Sequence, residues 1–408
     1  MRRKAKRDLT IEEQLARGPV DLPFLTLVIL LTAVGLIMLL SASYPSAYYD
    51  LDPSVNTGGN PYYYFIRQGT FALMGLAAML VISKIDYQRF RWMSIFVLGA
   101  SIVLMLLVFT PLGRSVGVAR RWLKIFGIRF QPSEIAKIGV IMFFAARLSK
   151  RRDQLGEPKK WNKRTFFGRF CAFLDRIGLL ELIPYALVLG VVLGIIAMQK
   201  HLSCMILVII AAASVLFASG IGLGWFAAGG GVVVAALWFI ATKTQYMTAR
   251  INAWLDPLSD LQGDGYQLWQ SQIAIGSGGL LGLGLGGGKQ KFLFLPEEHN
   301  DCIFAIVCEE LGFIGAGVII LLFMLLIIRG YWLALHARDR FGTLLIVGIT
   351  TLLAAQVILN IGVVTGTIPT TGISLPFFSY GGTALMIQLA EMGIILSVSR
   401  QIPAARAG

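Results

Sequence analysis

Three carboxylates stand close together at the start of an apolar segment, and they are Glu297, Glu298 and Asp301. Carboxylates at this spacing raise one another's pKa, which favours a proton acceptor over a permanently charged group. Ionisable groups at a membrane edge are functional candidates by default, because they are costly to hold there. A structural role is the alternative, since negative charge at a helix N-terminus interacts favourably with the helix dipole.

The acidic group follows a glycine-rich stretch, which runs over 276–294 and reads GSGGLLGLGLGGGKQKFLF. It carries Lys289 and Lys291, two cations beside the carboxylates. No strand precedes these glycines, so the phosphate-binding loops of nucleotide-binding folds are excluded. His299 is either a second proton carrier or a hydrogen-bonding helix cap.

A second group of charges lies further toward the N-terminus, in the segment 110–131. Its basic residues are Arg114, Arg120, Arg121, Lys124 and Arg129. Guanidinium groups match phosphate oxygens bidentately, so a site for an anionic group is one interpretation. The other is that these side chains extend to lipid headgroups.

The motif QPSEIAK at 131–137 begins the apolar segment that follows. Proline suits the first position of a helix, so a helix is predicted to start next to Gln131. Glu134 and Lys137 are then three residues apart on one helix face and close enough to pair. Such a pair either lines a polar cavity or is a buried ion pair of structural value.

The elements that hold these residues are predicted from composition. Of 408 residues, 56% are hydrophobic and 14% are charged, whereas a soluble chain carries about 25% charged residues. Apolar segments recur at roughly the 20 residues that a bilayer core requires. They are 23–43, 68–82, 92–109, 132–148, 182–197, 203–219, 224–241, 303–328, 342–364 and 382–399. We therefore predict an all-α polytopic membrane protein with ten transmembrane helices.

The Lys and Arg residues predict the orientation of these spans. An even number of spans puts both termini on one side, and placing that side in the cytoplasm puts most of the 36 Lys and Arg residues there, as the positive-inside rule requires. The net charge of +14 then indicates contact with anionic lipid rather than with nucleic acid. The predicted regions are a basic cytoplasmic tail at 1–20, a membrane domain at 21–401 and a cytoplasmic tail at 402–408. Within the membrane domain we predict a basic cytoplasmic loop at 147–181 and a large extracytoplasmic loop at 242–302, between spans seven and eight.

The segment 366–382, GTIPTTGISLPFFSYGG, contains two prolines and four glycines around Ser374, Ser379 and Tyr380. It is predicted to be a re-entrant turn, because irregular backbone is tolerated at membrane depth only where protein or water satisfies it. Two polar pairs in the neighbouring spans, Gln356 with Asn360 and Gln388 with Glu391, are interpreted as hydrogen bonds between helices. The four cysteines form no CxxC pair and are interpreted as small buried residues.

Together these residues describe an outward-facing site with basic groups, one poised carboxylate and an apolar groove. Transfer of a sugar from a lipid diphosphate needs cations for the leaving group and a base for the attacking hydroxyl. One carboxylate suffices for a single inverting displacement. A lipid flippase that couples its carboxylates to protons or ions is the main alternative, and a non-catalytic scaffold for a partner synthase is another.

Three motifs in order resemble one known family. QPSEIAK at 131–137, GYQLWQSQIAIGSGGLLGLGLGGGKQKFLFLPEEHND at 265–301 and PTTGISLPFFSYGGTAL at 369–385 are similar to the signatures of the SEDS proteins (shape, elongation, division and sporulation), the RodA/FtsW type. The resemblance covers about residues 20–400 and is closer to the FtsW division branch. Where the family commonly has QPDLG, this chain has QKHLS at 199–203.

The resemblance implies a peptidoglycan glycosyltransferase that polymerises lipid II on the outer face of the bacterial cytoplasmic membrane. It implies a class B penicillin-binding protein and other division-complex membrane proteins as partners, and Asp301 as the catalytic base. The residues expected to bind substrate or its diphosphate are Arg121, Arg129, Gln131, Ser133, Glu134, Lys137, Lys289, Lys291, Glu297 and Ser379. No cofactor is certain. A divalent cation, Mg²⁺ or Mn²⁺, is a candidate because carboxylates suit such ions.

Overall fold

The computed structural model of the protein describes ten stretches of the chain. They are residues 18–50, 57–116, 119–125, 128–154, 179–222, 224–227, 229–232, 235, 245–260 and 263–402. The predicted tails 1–20 and 402–408 and the loop 147–181 lie largely outside these residues, and half of the seventh span 224–241 is described.

The described chain is mainly helical, which confirms the predicted fold class in its main feature. Its helices are α1 (Leu22–Tyr48), α2 (Tyr63–Lys84), α3 (Arg89–Leu107), α4 (Pro132–Gln154), α5 (Leu179–Met198), α6 (Leu202–Ala218), α7 (Gln245–Leu255), α8 (Asp264–Gly278), α9 (Ile303–His336), α10 (Arg340–Val364) and α11 (Gly382–Ser399). Among the described residues, six helices, α1, α2, α3, α9, α10 and α11, are long and apolar enough to cross a membrane, and α5 and α6 contain shorter apolar helices. The predicted spans other than the seventh coincide with helices, while the total of ten stays a prediction.

The segment 110–131 folds as a small antiparallel sheet, so the all-α prediction is incomplete. Its strands are β1 (Gly113–Val116), β2 (Ala119–Ile125) and β3 (Ile128–Phe130), in the order β1-β2-β3. Lys124 is paired with Arg129 across β2 and β3. The pairing of β1 with β2 shifts register beside Arg121, because Arg114 pairs with Trp122 and Ser115 with Arg120. Arg121 lines the cavity described below, whereas Arg120 is exposed and does not line it.

The core of the bundle lies around α10, which packs against α4, α6, α8, α9 and α11. Two-thirds of its apolar window is buried (67%), whereas lipid-facing helices expose most of theirs. Close approach between α2 and α11 depends on glycine. A methyl group on Gly75 would lie 2.7 Å from Leu389 Cδ1, and one on Gly393 would lie 2.8 Å from the Met79 carbonyl oxygen.

The predicted loop 242–302 is partly helical, which sequence reasoning did not anticipate. It contains α7, a short 3₁₀ helix over Pro257–Asp260, and α8. Helix α8 packs along α9, and the Trp254 indole donates a hydrogen bond to the Gly366 carbonyl at 2.7 Å. This part of the chain is thus folded against the bundle rather than extended from it.

Helix α9 is interrupted near its N-terminal end by Gly312, whose φ of 68° and ψ of −172° are not helical. The glycine-rich stretch pairs with the chain at this break. The amides of Leu283 and Gly284 donate to the carbonyls of Glu309 and Glu310, each at 3.0 Å. A methyl group on Gly282 would lie 2.1 Å from the Glu310 carbonyl oxygen, so the backbones approach this closely only because the side chain is absent.

Candidate active site

A cavity of about 950 Å³ opens among the strands, the re-entrant turn and the start of α9. Its walls come from segments far apart in sequence. The strands and the start of α4 contribute Arg121, Trp122, Arg129, Gln131 and Glu134, and the chain around the start of α6 contributes residues 200–203. Most residues of 293–301 and part of 370–388 complete the wall, with Ser46, Arg67, Phe71, Arg250, Gln267 and Gln356. The cavity brings together all three of the motifs that carry the family resemblance.

Asp301 lies in the wall of this cavity, in the turn just before α9. Burial raises the pKa of its carboxyl from the ordinary value of 3.8 to about 7, and the nearby Glu297 carboxylate adds to the rise. The positive charges of Arg121 and Arg250 act in the opposite direction. Asp301 is therefore a carboxylate that exchanges its proton near neutral pH, as a general base at ambient pH requires.

The other two acids of the group have different surroundings. Glu297 is exposed to the cavity, has a φ of 54° and accepts a hydrogen bond from Asn300 Nδ2 at 2.5 Å. Glu298 is buried, where it accepts a hydrogen bond from the Ser46 hydroxyl and lies 3.3 Å from His299 Nδ1. All three acids line the cavity, but the two glutamates are engaged by different hydrogen-bond partners.

Cations surround the cavity from four parts of the chain. The predicted Arg121 and Arg129 are both in its wall, and they are joined by Arg67, Lys200 and Arg250. Arg250 Nη1 donates to the Thr370 carbonyl at 3.0 Å, which fixes it beside the re-entrant turn. Sequence reasoning missed the last three cations because each is a single basic residue, in a helix or loop with no motif of its own.

The fourth-span motif divides between the cavity and the core. Gln131 and Glu134 line the cavity, whereas Ser133 and Lys137 are buried behind them. Lys137 Nζ lies 2.8 Å from Glu134 Oε2, so the predicted pairing is confirmed. We infer that Lys137 holds the Glu134 carboxylate in place at the cavity wall and does not itself contact the cavity.

Next to this motif, His201 at the start of α6 also lines the cavity, and its Nδ1 lies 3.3 Å from Gln131 Nε2. Burial, with the positive charges of Arg121 and Lys137, lowers its pKa to about 3. A neutral histidine therefore stands in the tip 199–203, where this chain departs from the pattern common in the family.

Two predicted binding residues are not brought to the cavity. Lys291 is buried, with Nζ 2.7 Å from Glu310 Oε1 and 3.0 Å from Ser41 Oγ, so its charge is already paired. Lys289 is exposed outside the cavity wall, and its backbone amide donates to Glu309 at 2.8 Å. Neither lysine lines the cavity in this structure, so their binding to the substrate diphosphate stays a prediction.

Ser379 lines the cavity, but its hydroxyl is already engaged twice. It donates to the Asn300 carbonyl and accepts from the Leu375 amide, each at 2.7 Å. Its contact with substrate stays a prediction. The predicted bond between spans is present for one polar pair, since Gln388 Nε2 lies 3.3 Å from Gln356 Oε1.

No set of three His, Cys, Asp or Glu side chains in the described part of the chain is arranged to hold a metal ion. The residues of the site therefore form no complete ligand set by themselves. Cys204, Cys302 and Cys308 are buried free thiols, as expected of small core residues, and Cys171 lies outside the described residues.

Comparison with known proteins agrees with this geometry. The family described as "Cell cycle protein", labelled for FtsW, RodA and SpoVE, matches residues 21–403. The probable peptidoglycan glycosyltransferase FtsW of Geobacter metallireducens is 38% identical over 383 residues, which are 94% of this chain and 95% of that protein. The stage V sporulation protein E of Bacillus subtilis is 37% identical over 384 residues, covering 93% and 97% of the two chains.

Two solved structures share the fold. A chain from the structure described as "Structural coordination of polymerization and crosslinking by a peptidoglycan synthase complex" aligns with a TM-score of 0.72 and 27% identity, covering 93% of this chain and 98% of that one. The rod shape determining protein RodA of Thermus thermophilus aligns with a TM-score of 0.65 and 26% identity, covering 95% and 98%. The chain therefore belongs to the FtsW/RodA/SpoVE family of cell cycle proteins.

Proposed function

We propose that this protein is a peptidoglycan glycosyltransferase that polymerises lipid II into glycan strands during cell division. The reaction takes place at the outer face of the bacterial cytoplasmic membrane, and both termini of the chain are in the cytoplasm. Relatives named as probable peptidoglycan glycosyltransferases, at 38% identity over most of the chain, support the activity. The distribution of Lys and Arg supports the orientation.

The observation that carries the proposal is the position of Asp301, a carboxylate with a pKa of about 7 in a cavity lined by arginines. In the reaction, the Asp301 carboxylate takes the proton of the acceptor sugar hydroxyl. The hydroxyl oxygen then forms a bond to the anomeric carbon of the donor, and the bond from that carbon to the diphosphate oxygen breaks. A single displacement of this kind inverts the anomeric centre.

The charge that develops on the leaving diphosphate requires positive groups fixed in advance. Arg121, Arg129 and Arg250 all line the cavity, so the proposed subsite for the lipid diphosphate lies beside these three guanidinium groups. The lipid tails of donor and acceptor leave through the apolar membrane face of the bundle. Any divalent cation would be held by substrate diphosphate together with the exposed Glu297, since the protein groups alone do not complete a site.

A partner that crosslinks the new strands is part of the proposal. The similar solved chain belongs to a peptidoglycan synthase complex that coordinates polymerization and crosslinking. A class B penicillin-binding protein is accordingly proposed as the partner, with other division-complex membrane proteins around the pair.

The test is the formation of glycan strands from labelled lipid II by the purified protein, alone and with a cognate penicillin-binding protein that makes no strands itself. Asp301→Asn, nearly isosteric, should abolish polymer while leaving insertion and partner binding intact. Asp256→Asn is the matched control, because Asp256 is exposed in the same outer region and does not line the cavity.

The alternatives predict different results in this assay. A scaffold would give no polymer with wild type or with either variant, and all three would bind the partner equally. A flippase would give no polymer but would move lipid II across vesicle membranes, with loss of transport in Asp301→Asn. Native polymerisation by Asp301→Asn would remove Asp301 as the base.

A further inference from the structure

The backbone that leads into Asp301 is held by three hydrogen bonds on consecutive carbonyl oxygens. The His299 carbonyl accepts from the Tyr380 amide at 2.9 Å. The Asn300 carbonyl accepts from the Ser379 hydroxyl at 2.7 Å. The carbonyl of Asp301 itself accepts from Asn360 Nδ2 at 2.8 Å. We call these three bonds the carbonyl clamp.

Asn360 is the member of the clamp that joins two segments. Its Nδ2 donates a second hydrogen bond, at 2.7 Å, to the Ile373 carbonyl in the re-entrant turn. Both partners are carbonyl oxygens that only accept, so the amide nitrogen must face them. The side chain is 1% exposed, which places it beneath the cavity and out of reach of any substrate.

The re-entrant turn that supplies the other two donors is itself anchored. Gln68 of α2 is buried, and its side chain donates to the Ser379 carbonyl and accepts from the Gly381 amide, each at 3.1 Å. Close packing completes the arrangement, since a methyl group on Gly372, whose φ is 55°, would lie 3.1 Å from Asp301 Oδ2. The carboxylate is thus fixed relative to a turn that belongs to the rigid bundle.

We propose that Asn360, with Ser379, is a positioning residue that holds the Asp301 carboxylate in its reactive place in the cavity. The inference rests on the proposed function, because it assigns Asp301 as the base. It differs from the prediction that Asn360 bonds another helix and that Ser379 binds substrate. In this arrangement the two side chains act through the backbone of residues 299–301 and need not contact the reacting atoms.

The test uses the full-length protein with its partner and compares three variants with wild type. Asn360→Leu keeps the approximate size of the side chain and removes both donated bonds. Ser379→Ala removes a different clamp bond. Thr351→Val is the matched control in the same helix, because it removes the 2.8 Å hydrogen bond between Thr351 and Tyr331 of α9 without touching the clamp.

The clamp predicts a loss in kcat for glycan formation of about tenfold to hundredfold in Asn360→Leu, since a misplacement of about 1 Å can cost that much. The KM for lipid II should stay within about twofold, because no substrate contact is removed. Thr351→Val should polymerise at close to the native rate. The double variant Asn360→Leu with Ser379→Ala should lose less than the product of the two single losses, since both act on one unit.

A physical measurement tests the clamp without relying on activity. Hydrogen–deuterium exchange at the amides of Leu375 and Tyr380 should be faster in Ser379→Ala and in Asn360→Leu than in wild type, and unchanged in Thr351→Val. Ser379→Ala also serves as the second test if Asn360→Leu fails to fold.

Three outcomes would overturn the inference. Native kcat in folded Asn360→Leu and Ser379→Ala would exclude a positioning role. A rise in KM alone would indicate substrate contact instead. Equal loss in Thr351→Val would indicate general loosening of the helices. Asp301→Asn, measured alongside, separates this failure from that of the proposed function. An active Asp301→Asn would refute Asp301 as the base. An inactive Asp301→Asn together with a native Asn360→Leu would refute only the carbonyl clamp.

Discussion

Polymerisation by this protein should depend steeply on pH in the neutral range. With a pKa of about 7, the Asp301 carboxyl is about one-tenth ionised at pH 6 and about nine-tenths ionised at pH 8. If the ionised form is the base, kcat should rise about tenfold between these values and level off above them. An aspartate at the ordinary value of 3.8 would be almost fully ionised throughout, and its profile would be flat.

The assay is the initial rate of glycan formation from saturating labelled lipid II, measured from about pH 5.5 to 9 at constant ionic strength. Return of each sample to neutral pH before a second assay controls for irreversible loss. Asp256→Asn should reproduce the acid limb. His299→Gln tests the histidine that lies two residues before Asp301, and it should retain the limb.

A flat profile between pH 6 and 8 in the wild-type enzyme would refute the reasoning, as would loss of the limb in His299→Gln. The first result would mean that Asp301 is hydrated in the working enzyme, because burial is the largest cause of its raised pKa. The second would transfer the titrating role to the histidine.

Further predictions concern stability, binding and metal. The folded pKa of Asp301 lies above its unfolded value of 3.8, so its contribution to stability is fully present below that value and is lost as pH rises to about 7. Asp301→Asn should therefore raise the free energy of unfolding at pH 8 by up to about 4 kcal/mol, and by less at pH 5.5. The measurement is the Tm at the two pH values. Lys291→Met should destabilise the fold by about 3–5 kcal/mol because it leaves a buried carboxylate unpaired, whereas Lys289→Met, at an exposed site, should change the Tm little. Arg121→Ala should raise the lipid II concentration for half-maximal rate, whereas Arg120→Ala should not, because Arg120 is exposed and does not line the cavity. Equal effects would return Arg121 to a structural role. Removal of Mg²⁺ and Mn²⁺ with a chelator should lower the rate only if a cation binds with the substrate diphosphate, and direct titration of the protein with Mg²⁺ alone should show weak binding.

Sequence patterns were sufficient for features whose signals are local. Apolar segments of bilayer length predicted the helices because every backbone group in lipid must be satisfied internally. The spacing of Glu134 and Lys137 predicted their pairing because three residues form nearly one helical turn. The irregular composition of 366–382 likewise predicted a turn, and the structure has no helix there.

Features that depend on distant partners were beyond the same reasoning. Lys291 carries the same charge wherever it lies, and only the pairing of the glycine-rich stretch with α9 turns it toward Glu310. Asn360 looked like a polar residue between helices, and its acceptors are carbonyls of Asp301 and Ile373 in two other segments. The small sheet was missed because its strands are short and interrupted by basic residues, which suggested a charged loop.

The break in α9 at Gly312 bears on how the chain enters the membrane during synthesis. From Phe313 to His336 the helix continues for roughly 36 Å at about 1.5 Å per residue, which already exceeds a hydrocarbon core of about 30 Å. This portion is therefore long enough to be recognised and inserted by itself. Glu309 and Glu310 lie before the break, so they need not pass into lipid as isolated charges. They can be enclosed afterwards, when the glycine-rich stretch folds over them and Lys291 pairs with Glu310.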